Sequence, residues 1–465
     1  MVANSAPVQA LPSSFRDRSG FMLMSNGTLH RQVNRCYQRA FDHLMQSGLY
    51  RALTEAGMLI RHQEVGDDAA SATSWYKLLQ PELIPFISYP YEWCFSQLKA
   101  AALLTLQIQH KALTCGMSLK DASAYNIQFL DGKPILIDTL SFDLYEEGAL
   151  WVAYRQFCEH FLAPLALMSY TEVRLSQLLK VHLDGIPLDQ ASALLSLRTR
   201  LHPGLVTHLH LHAVAQTRLA HASGMPRRHA FSLNAMLGFV EQLEGLVHSL
   251  RWTPCRTAWS EYYASGPHTL AAFKEKERWV EQFLTVVSPT PQSVWDVGAN
   301  TGYFSRLASQ RGMLTVSMDA DPSCVEKNFL EMVRQREQRL LPLWMDLFNP
   351  SPALGWEGRE RLSLIERGPA DLLLALALMH HFVVDNNLPF GKIAECFSRL
   401  CRRWLVIEYI PIEDPQTQRL LRTRPDGAEG YTQDGFEAAF GRQYAMRRKV
   451  RLAVTGRTLY LMEKS

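Results

Sequence analysis

One stretch, residues 293–305 with the sequence SVWDVGANTGYFS, constrains the fold more than any other part of the chain. Its first part, SVWDV, is short, apolar and partly β-branched, which predicts a buried strand. Residues 298–302 predict a glycine turn, and residues 303–311 a helix. Such a turn brings a ligand close to the backbone and to the free N–H groups that begin the helix. A strand, glycine turn and helix in this order indicate a nucleotide-binding α/β fold.

The spacing of Asp296, Gly298, Asn300 and Gly302 narrows the choice of ligand. A dinucleotide site would read Gly-x-Gly-x-x-Gly and face a pyrophosphate. An aspartate just before the turn would repel a phosphate, but it suits a ligand that carries an ammonium and a sulfonium. The motif Asp-x-Gly-x-x-x-Gly resembles the first motif of class I S-adenosylmethionine-dependent methyltransferases. This resemblance implies that these four residues bind S-adenosyl-L-methionine.

The strands expected after this motif extend the resemblance over residues 257–465. Residues 314–318 and 340–345 predict the next two strands, which end at Asp319 and Asp346. The resemblance implies that Asp319 accepts hydrogen bonds from the ribose hydroxyls and Asp346 from the adenine amino group. Further strands are expected at residues 370–378, 404–407, 452–455 and 458–463. We therefore expect an α/β, Rossmann-like class I methyltransferase sheet in this half, with Trp259, Tyr262 and Tyr263 either covering the cofactor or packing in the core.

Polar residues that follow the fourth and fifth strands are the candidates for catalysis. Methyl transfer is an in-line displacement, so the enzyme mainly positions the acceptor, excludes water and removes a proton where needed. His380 and His381 are candidate general bases, or packing residues, and Glu408 could orient the acceptor or the base. The Asn/Asp-Pro-Pro-Tyr/Phe motif used on exocyclic or amide nitrogens is absent, because LALMHHF stands there. An oxygen, carbon or ring-nitrogen acceptor is therefore favoured.

The amino-terminal half carries a different motif. Residues 1–19 predict a flexible tail, and residues 20–250 an α+β domain with a mostly helical lobe. Asp121 and Asn126 have the Asp-x-x-x-x-Asn spacing of a phosphotransferase catalytic loop, and Asp138 closes the next hairpin. The order of a small β lobe and then a helical lobe, with these three motif residues, weakly resembles that of protein kinases and aminoglycoside phosphotransferases. The resemblance implies an Mg-ATP site with Asn126 and Asp138 as metal ligands.

This half also departs from the phosphotransferase pattern. It lacks the glycine-rich loop, and leucine and lysine precede Asp121 where kinases have histidine and arginine. Three interpretations stay open: turn-capping residues, a kinase-like module that binds without phosphorylating, and a working phosphotransferase. His208 and His212 share a helical spacing, but no acidic or cysteine partner nearby completes a metal site, so surface or packing histidines are favoured.

Composition limits the remaining classes. A chain of 465 residues predicts two to three domains, and a net charge of +3 does not indicate nucleic acid as a partner. Scattered cysteines, the lack of an apolar leader and the lack of a long apolar run predict a cytoplasmic protein with no membrane span. The whole chain, including the segments at 118–126 and 408–415, also looks similar to bacterial proteins related to the host-specific nodulation methyltransferases.

Three functions remain open at this point. The first is a methyltransferase whose amino-terminal module recognises an unidentified small-molecule, carbohydrate, protein or RNA acceptor. The second is a bifunctional phosphotransferase and methyltransferase. The third is a non-catalytic adaptor that senses the cofactor.

Overall fold

The structure is a computed structural model that describes residues 9–65, 75–211, 232–257, 270–424 and 429–465. It divides into two compact units. The N-unit comprises Met1–Thr253 and Ala353–Arg361, and the C-unit comprises Pro254–Pro352 and Leu362–Ser465. Trp259, Tyr262, Tyr263 and His212 lie outside the described residues.

The described part of the N-unit begins with a five-stranded sheet in the order β1-β2-β3-β5-β4. A tight turn joins β2 to β3, because Asn26 and Gly27 both have positive φ, which suits a two-residue hairpin. The strands are β1 (Gln9–Ala10), β2 (Met22–Ser25), β3 (Thr28–Asn34), β4 (His62–Glu64) and β5 (Trp75–Pro81).

Residues 9–19 are more ordered than the tail that their composition predicts. Strand β1 pairs with β2, and the Ser14 hydroxyl accepts a hydrogen bond from the Met22 amide at 2.8 Å. The physical reason is that β2 offers unpaired backbone groups along its outer edge. Sequence composition does not reveal such an edge.

Two short antiparallel pairs and a set of helices complete the described N-unit. Strand β6 (Met117–Leu119) pairs with β9 (Phe142–Leu144), and β7 (Ile127–Leu130) with β8 (Lys133–Leu136). The helices are Gln38–Gln46, Leu49–Glu55, Phe95–Thr114, Tyr154–Phe157, Ala163–Tyr170, Leu178–Val181, Leu188–Leu194, Pro203–Leu205 and Leu233–Ser249. Short 3₁₀-helical turns lie at Arg35–Tyr37, Pro90–Glu92, Ala124–Asn126, Val173–Gln177 and Leu197–Leu201. Wider π-helical turns lie at Cys158–Leu162 and Val206–His210.

The described C-unit is built on a seven-stranded sheet in the order β12-β11-β10-β13-β14-β16-β15. The first five strands in this order are parallel, and β16 and β15 are antiparallel to their neighbours. This confirms the predicted α/β, class I methyltransferase fold. The strands are β10 (Ser293–Val297), β11 (Leu314–Asp319), β12 (Leu340–Trp344), β13 (Ala370–Ala375), β14 (Cys401–Tyr409), β15 (Tyr444–Arg451) and β16 (Thr458–Lys464).

Helices on the C-unit sheet bury its apolar strands. One core contains Val294 of β10, Leu372 of β13, Val406 of β14 and Phe283 of the preceding helix, all with 0% exposure. Burial on both faces explains why these strands are almost continuously apolar. The helices are Leu270–Val286, Tyr303–Ser309, Pro322–Gln335, Phe390–Leu400, Pro415–Thr423 and Gln433–Phe440, with a single turn at His381–Asp385. The single turn Trp356–Gly358 belongs to the N-unit.

Two strand predictions in the C-unit require correction. Strand β13 ends at Ala375, earlier than predicted, because Ala377 has a φ of +54° and cannot continue a strand. The first strand of the terminal hairpin is β15, not residues 452–455. The sequence hid β15 because its basic run, residues 447–449, resembles a surface loop, whereas charges are common on an edge strand.

Two further findings concern the described residues. None of their helices is both long and apolar enough to cross a membrane. All eight cysteines fall within the described ranges and are free thiols.

The close fit at Gly302 gives the first testable prediction. Gly302 has a φ of +78°, and a Cβ there would lie 2.3 Å from the Asn328 side chain. Gly312 has a φ of +82°, but a Cβ there would meet no atom within 4 Å. We expect Gly312→Ala to cost about 1 kcal/mol of folding free energy through backbone strain alone, and Gly302→Ala to cost more. Urea denaturation measures both variants, and equal losses would contradict the predicted close packing.

Candidate functional site

The glycine turn after β10 forms the floor of the site. Gly298 has a φ of +71°, and a Cβ there would come within 2.4 Å of the Leu378 side chain. Asn300 also adopts a left-handed conformation, with a φ of +53°. The turn therefore holds its backbone close to the loop that follows β13, as a close-fitting ligand site requires.

Asp319, the last residue of β11, is tied to this turn. Its carboxylate accepts hydrogen bonds from the Asn300 amide at 2.7 Å and the Asp321 amide at 2.8 Å. Burial raises the pKa of Asp319 to about 6, although the two amides act in the opposite direction. A carboxylate has about four acceptor positions, so two amides leave capacity for further donors.

Asp296 brings a second carboxylate to the same place. It is 2% exposed and accepts a hydrogen bond from the Ser305 hydroxyl at 2.6 Å. Burial raises the pKa of Asp296 to about 7, a change that the Ser305 hydrogen bond and the Lys276 charge partly offset. A buried carboxylate that its neighbours compensate only in part is stabilised further by a cationic ligand nearby.

A cavity of about 330 Å³ lies above the turn in the C-unit. It brings together six of the residues predicted from sequence: Asp296, Gly298, Asn300, Asp319, His380 and His381. Apolar walls come from Phe304, Phe348, Leu376 and Leu378. Concave, largely apolar sites with a few polar groups are typical of small-molecule binding.

Three other predicted residues lie beside the cavity rather than on its wall. Gly302 begins the helix Tyr303–Ser309. Asp346 accepts a hydrogen bond from the Phe348 amide at 2.9 Å, and so orients a residue that does line the cavity. Glu408, at the end of β14, is 0% exposed.

Glu408 takes part in a buried group of charges. Its Oε2 accepts from the Lys276 ammonium at 2.5 Å and from the Ala377 amide at 2.8 Å. Arg457 approaches Oε1 at 3.7 Å and donates to Asp414 at 2.7 Å. Although burial alone would raise it, the two cations hold the pKa of Glu408 below its usual value. Glu408 thereby fixes Lys276 and the strained Ala377, which both line the cavity.

His380 and His381 begin the turn that closes the cavity. Their ring centroids are 4.0 Å apart. His380 is 2% exposed, and its burial lowers its pKa well below the ordinary value. Nδ1 of His381 lies 3.0 Å from Asp385 Oδ2. Burial also lowers the pKa of His381, although Asp385 acts in the opposite direction.

Lys276, Phe348 and Asp385 also line the cavity but are not among the residues predicted from sequence. Lys276 stands in the run KEKER, which is typical of a solvated helix face, so no local signal marks it. Asp385 follows His381 by four residues, a spacing that brings side chains together on a helical turn. That spacing was the available signal.

In the N-unit, hydrogen bonds connect Asp121, Asn126 and Asp138. The Asn126 side chain donates to the Ser141 hydroxyl at 3.3 Å, and this hydroxyl donates to Asp138 at 2.8 Å. Asp121 accepts hydrogen bonds from Gln156 at 2.9 Å and from the Asn126 side chain, and its burial raises its pKa. The three motif residues therefore lie in one polar network.

An arginine is the ion-pair partner of Asp138. Arg31 of β3 is 8% exposed and lies 2.9 Å from Asp138 Oδ1 and 2.7 Å from Asp17 Oδ2. Asp138 also accepts from the Leu140 amide at 3.2 Å. Oδ1 of Asp138 is thus shared by Arg31 and the Leu140 amide, and Oδ2 accepts from Ser141. Because an arginine cation already neutralises this carboxylate, the residues present do not fit a magnesium site. In the described ranges, no group of three histidine, cysteine or acidic residues could hold a metal ion.

His208 of the HLHLH run has a packing role. His208 Nδ1 lies 2.8 Å from the Tyr154 hydroxyl, and the His208 ring packs against Phe239. These contacts agree with the packing interpretation of His208.

Solved structures with similar folds include two methyltransferases. One is magnesium protoporphyrin IX methyltransferase from Synechocystis PCC 6803, solved with bound SAM, which is 15% identical in sequence with a TM-score of 0.33. The match covers 44% of this chain and 89% of that methyltransferase chain. The other is the N-methyltransferase NodS from Bradyrhizobium japonicum WM9, which is 10% identical in sequence with a TM-score of 0.30. That match covers 41% of this chain and 97% of the NodS chain. No family model matches the chain.

A relative of known sequence matches over the full length of the chain. The nodulation protein NoeA of Rhizobium meliloti (strain 1021) is 32% identical over an alignment of 478 residues. This alignment covers 100% of this chain and 99% of the relative. The similarity therefore includes both the N-unit and the C-unit. At this identity and coverage, the chain belongs to the family of the nodulation protein NoeA.

Proposed function

We propose that the C-unit binds S-adenosyl-L-methionine in its cavity and transfers the methyl group to an acceptor. One observation carries this proposal: the Asp319 carboxylate ends β11 beside the glycine turn, bonded to the Asn300 amide, on the wall of the 330 Å³ cavity. Open α/β sheets bind ligands at this carboxyl edge. The methyltransferase fold of the C-unit supports the same assignment.

The chemistry of the cavity fits the cofactor. Asp319 retains acceptor capacity for the two ribose hydroxyls. Phe348 and Leu376 provide apolar surface for the adenine ring. Asp296 supplies negative charge for the ammonium and sulfonium groups. Asp346 remains our predicted acceptor for the adenine amino group, and its bond to the Phe348 amide places it next to this wall.

When bound, the cofactor supplies an electrophilic methyl group on sulfur. The residues of the chain orient the acceptor, exclude water and accept a proton. His380 and His381 are our candidates for the proton acceptor because both line the cavity. Glu408 has a positioning role through Lys276 and Ala377. An oxygen, carbon or ring-nitrogen acceptor remains favoured.

We assign acceptor recognition to the N-unit. Its polar network holds Asp121, Asn126 and Asp138 in fixed positions, and Arg31 already neutralises Asp138, which favours recognition over metal-dependent phosphoryl transfer. Because the related protein is a nodulation protein, we place the acceptor in that process. Tritiated S-adenosylmethionine added to a bacterial extract, fractionated after protease or ribonuclease treatment, would identify the acceptor class. No transfer to any fraction would favour the cofactor-sensing adaptor.

Cofactor binding to the intact protein tests the assignment of Asp319. We expect Asp319→Ala to weaken S-adenosylmethionine binding at least about tenfold in calorimetry, because charge-assisted hydrogen bonds to the ribose are lost. Asp371→Ala is a matched control. Asp371 also accepts two backbone amides, from Gln292 and Ser293, but at the other end of the sheet. Equal effects of the two substitutions would contradict the assignment.

The raised carboxylate pKa values predict how binding depends on pH. The pKa is about 7 for Asp296 and about 6 for Asp319, so both groups take up protons as pH falls from 7.5 to 5.5. A cationic ligand binds the ionised carboxylates better, so the dissociation constant should rise as pH falls, by up to about tenfold per pH unit for each linked proton. Asp296→Asn should reduce this dependence near pH 7. A dissociation constant that is constant over this range would contradict the charge assignment.

A substitution at the Asp138–Arg31 ion pair distinguishes the two functions proposed for the N-unit, acceptor recognition and phosphoryl transfer. We expect Asp138→Asn to reduce N-unit stability by about 1–3 kcal/mol, because it weakens a largely buried pair with Arg31. The loss should be the same with and without Mg-ATP in thermal unfolding. Stabilisation of the unaltered protein by Mg-ATP that disappears in Asp138→Asn would instead support the bifunctional alternative.

A further inference from the structure

A histidine and an aspartate form a dyad on the wall of the cofactor cavity. His381 and Asp385 are the first and last residues of the turn His381–Asp385. Both line the cavity, and Asp385 Oδ2 lies 3.0 Å from His381 Nδ1. Widened helical turns of this kind are frequent at functional sites. The catalytic candidates identified from sequence did not include Asp385.

The aspartate determines which ring nitrogen of His381 carries the proton. An ionised carboxylate can only accept hydrogen bonds, so Nδ1 of His381 must be the donor. In the neutral ring, the lone pair then resides on Nε2. After protonation, the same carboxylate stabilises the imidazolium. This is the arrangement that orients and strengthens a histidine base.

The surrounding charges distinguish His381 from His380. Asp385 faces His381 and raises its pKa, whereas burial and the positive charge of Arg457 lower it. His380 receives no such help, since burial, His381, Arg457 and Lys276 all lower its pKa. His380 Nδ1 is buried and has no hydrogen-bond partner among the described residues. Of these two neighbouring rings, His381 is the one equipped to hold a proton.

We propose that His381 is the general base of the methyl transfer and that Asp385 is its positioning residue. This inference rests on the proposed function and makes it more specific. The bond between the acceptor oxygen and the methyl carbon forms as the carbon–sulfur bond of the cofactor breaks. The electron pair of the broken bond stays on sulfur. The hydroxyl proton of the acceptor passes to Nε2 of His381, which later releases it to water.

The dyad also indicates a class of acceptor. A hydroxyl group keeps its proton at neutral pH and becomes a better nucleophile as a base removes that proton. A carboxylate is already ionised and needs no base. A histidine base held by a carboxylate therefore matches an alcohol or a phenol, and oxygen is one of the three acceptor atoms, with carbon and ring nitrogen, that the sequence favours.

Nuclear magnetic resonance of ¹⁵N-histidine-labelled protein tests the dyad without any acceptor. His381→Gln and His380→Gln variants assign the two rings. In the unaltered protein we expect neutral His381 to carry its proton on Nδ1. Asp385→Asn should lower the pKa of His381, because the imidazolium loses its carboxylate partner. A proton on Nε2 of neutral His381, or an unchanged pKa in Asp385→Asn, would overturn the proposal.

Activity and binding measurements separate this inference from the proposed function. With tritiated S-adenosylmethionine and a clarified bacterial extract, we expect His381→Gln to reduce methyl transfer by about 10²–10⁴-fold. Asp385→Asn should reduce the plateau rate and move the acidic limb of the pH profile to lower pH. Calorimetry should show near-normal cofactor binding in both variants. If the unaltered protein fails to bind the cofactor, the proposed function fails; if it binds and both variants keep full activity, only the dyad fails.

Discussion

The hydrogen bond from the Asn300 amide to the Asp319 carboxylate is the contact on which the candidate site depends. It joins the glycine turn after β10 to the end of β11, two strands that are neighbours in the parallel sheet. Asn300 has a left-handed conformation, and the carboxylate satisfies the amide that this conformation presents. The same carboxylate keeps acceptor capacity on the cavity wall. One short contact thereby sets the shape of the turn and places the negative charge.

A second constraint is the buried group of charges formed by Lys276, Glu408, Arg457 and Asp414. A buried carboxylate is costly unless cations and hydrogen bonds compensate for it. Glu408 has such compensation from Lys276, Arg457 and the Ala377 amide. Ala377, in turn, lies just after β13 in a strained left-handed conformation. The ends of β13 and β14 are thus held together where the cavity residues begin.

Features determined by local sequence were predictable, and features determined by distant contacts were not. The turn at Gly298 and Gly302 was readable because positive φ there requires glycine, and Asp319 because it ends an apolar strand. Lys276 was hidden because its environment comes from Glu408, which is 132 residues away in sequence. Arg31 was hidden for the same reason, since its partner Asp138 is 107 residues away. The charged residues of β15 resemble a surface loop in the sequence, because an edge strand tolerates side chains that a central strand does not.

The central claim is that adenosylmethionine binds on the Asp319 side of the cavity with its methyl group near the His380–His381 turn. The most direct measurement is a crystal structure of the intact protein with S-adenosylhomocysteine. Our account predicts both ribose hydroxyls within hydrogen-bond distance of the Asp319 carboxylate, and the sulfur facing His380 and His381. Ribose bound away from Asp319, or ligand outside this cavity, would contradict it.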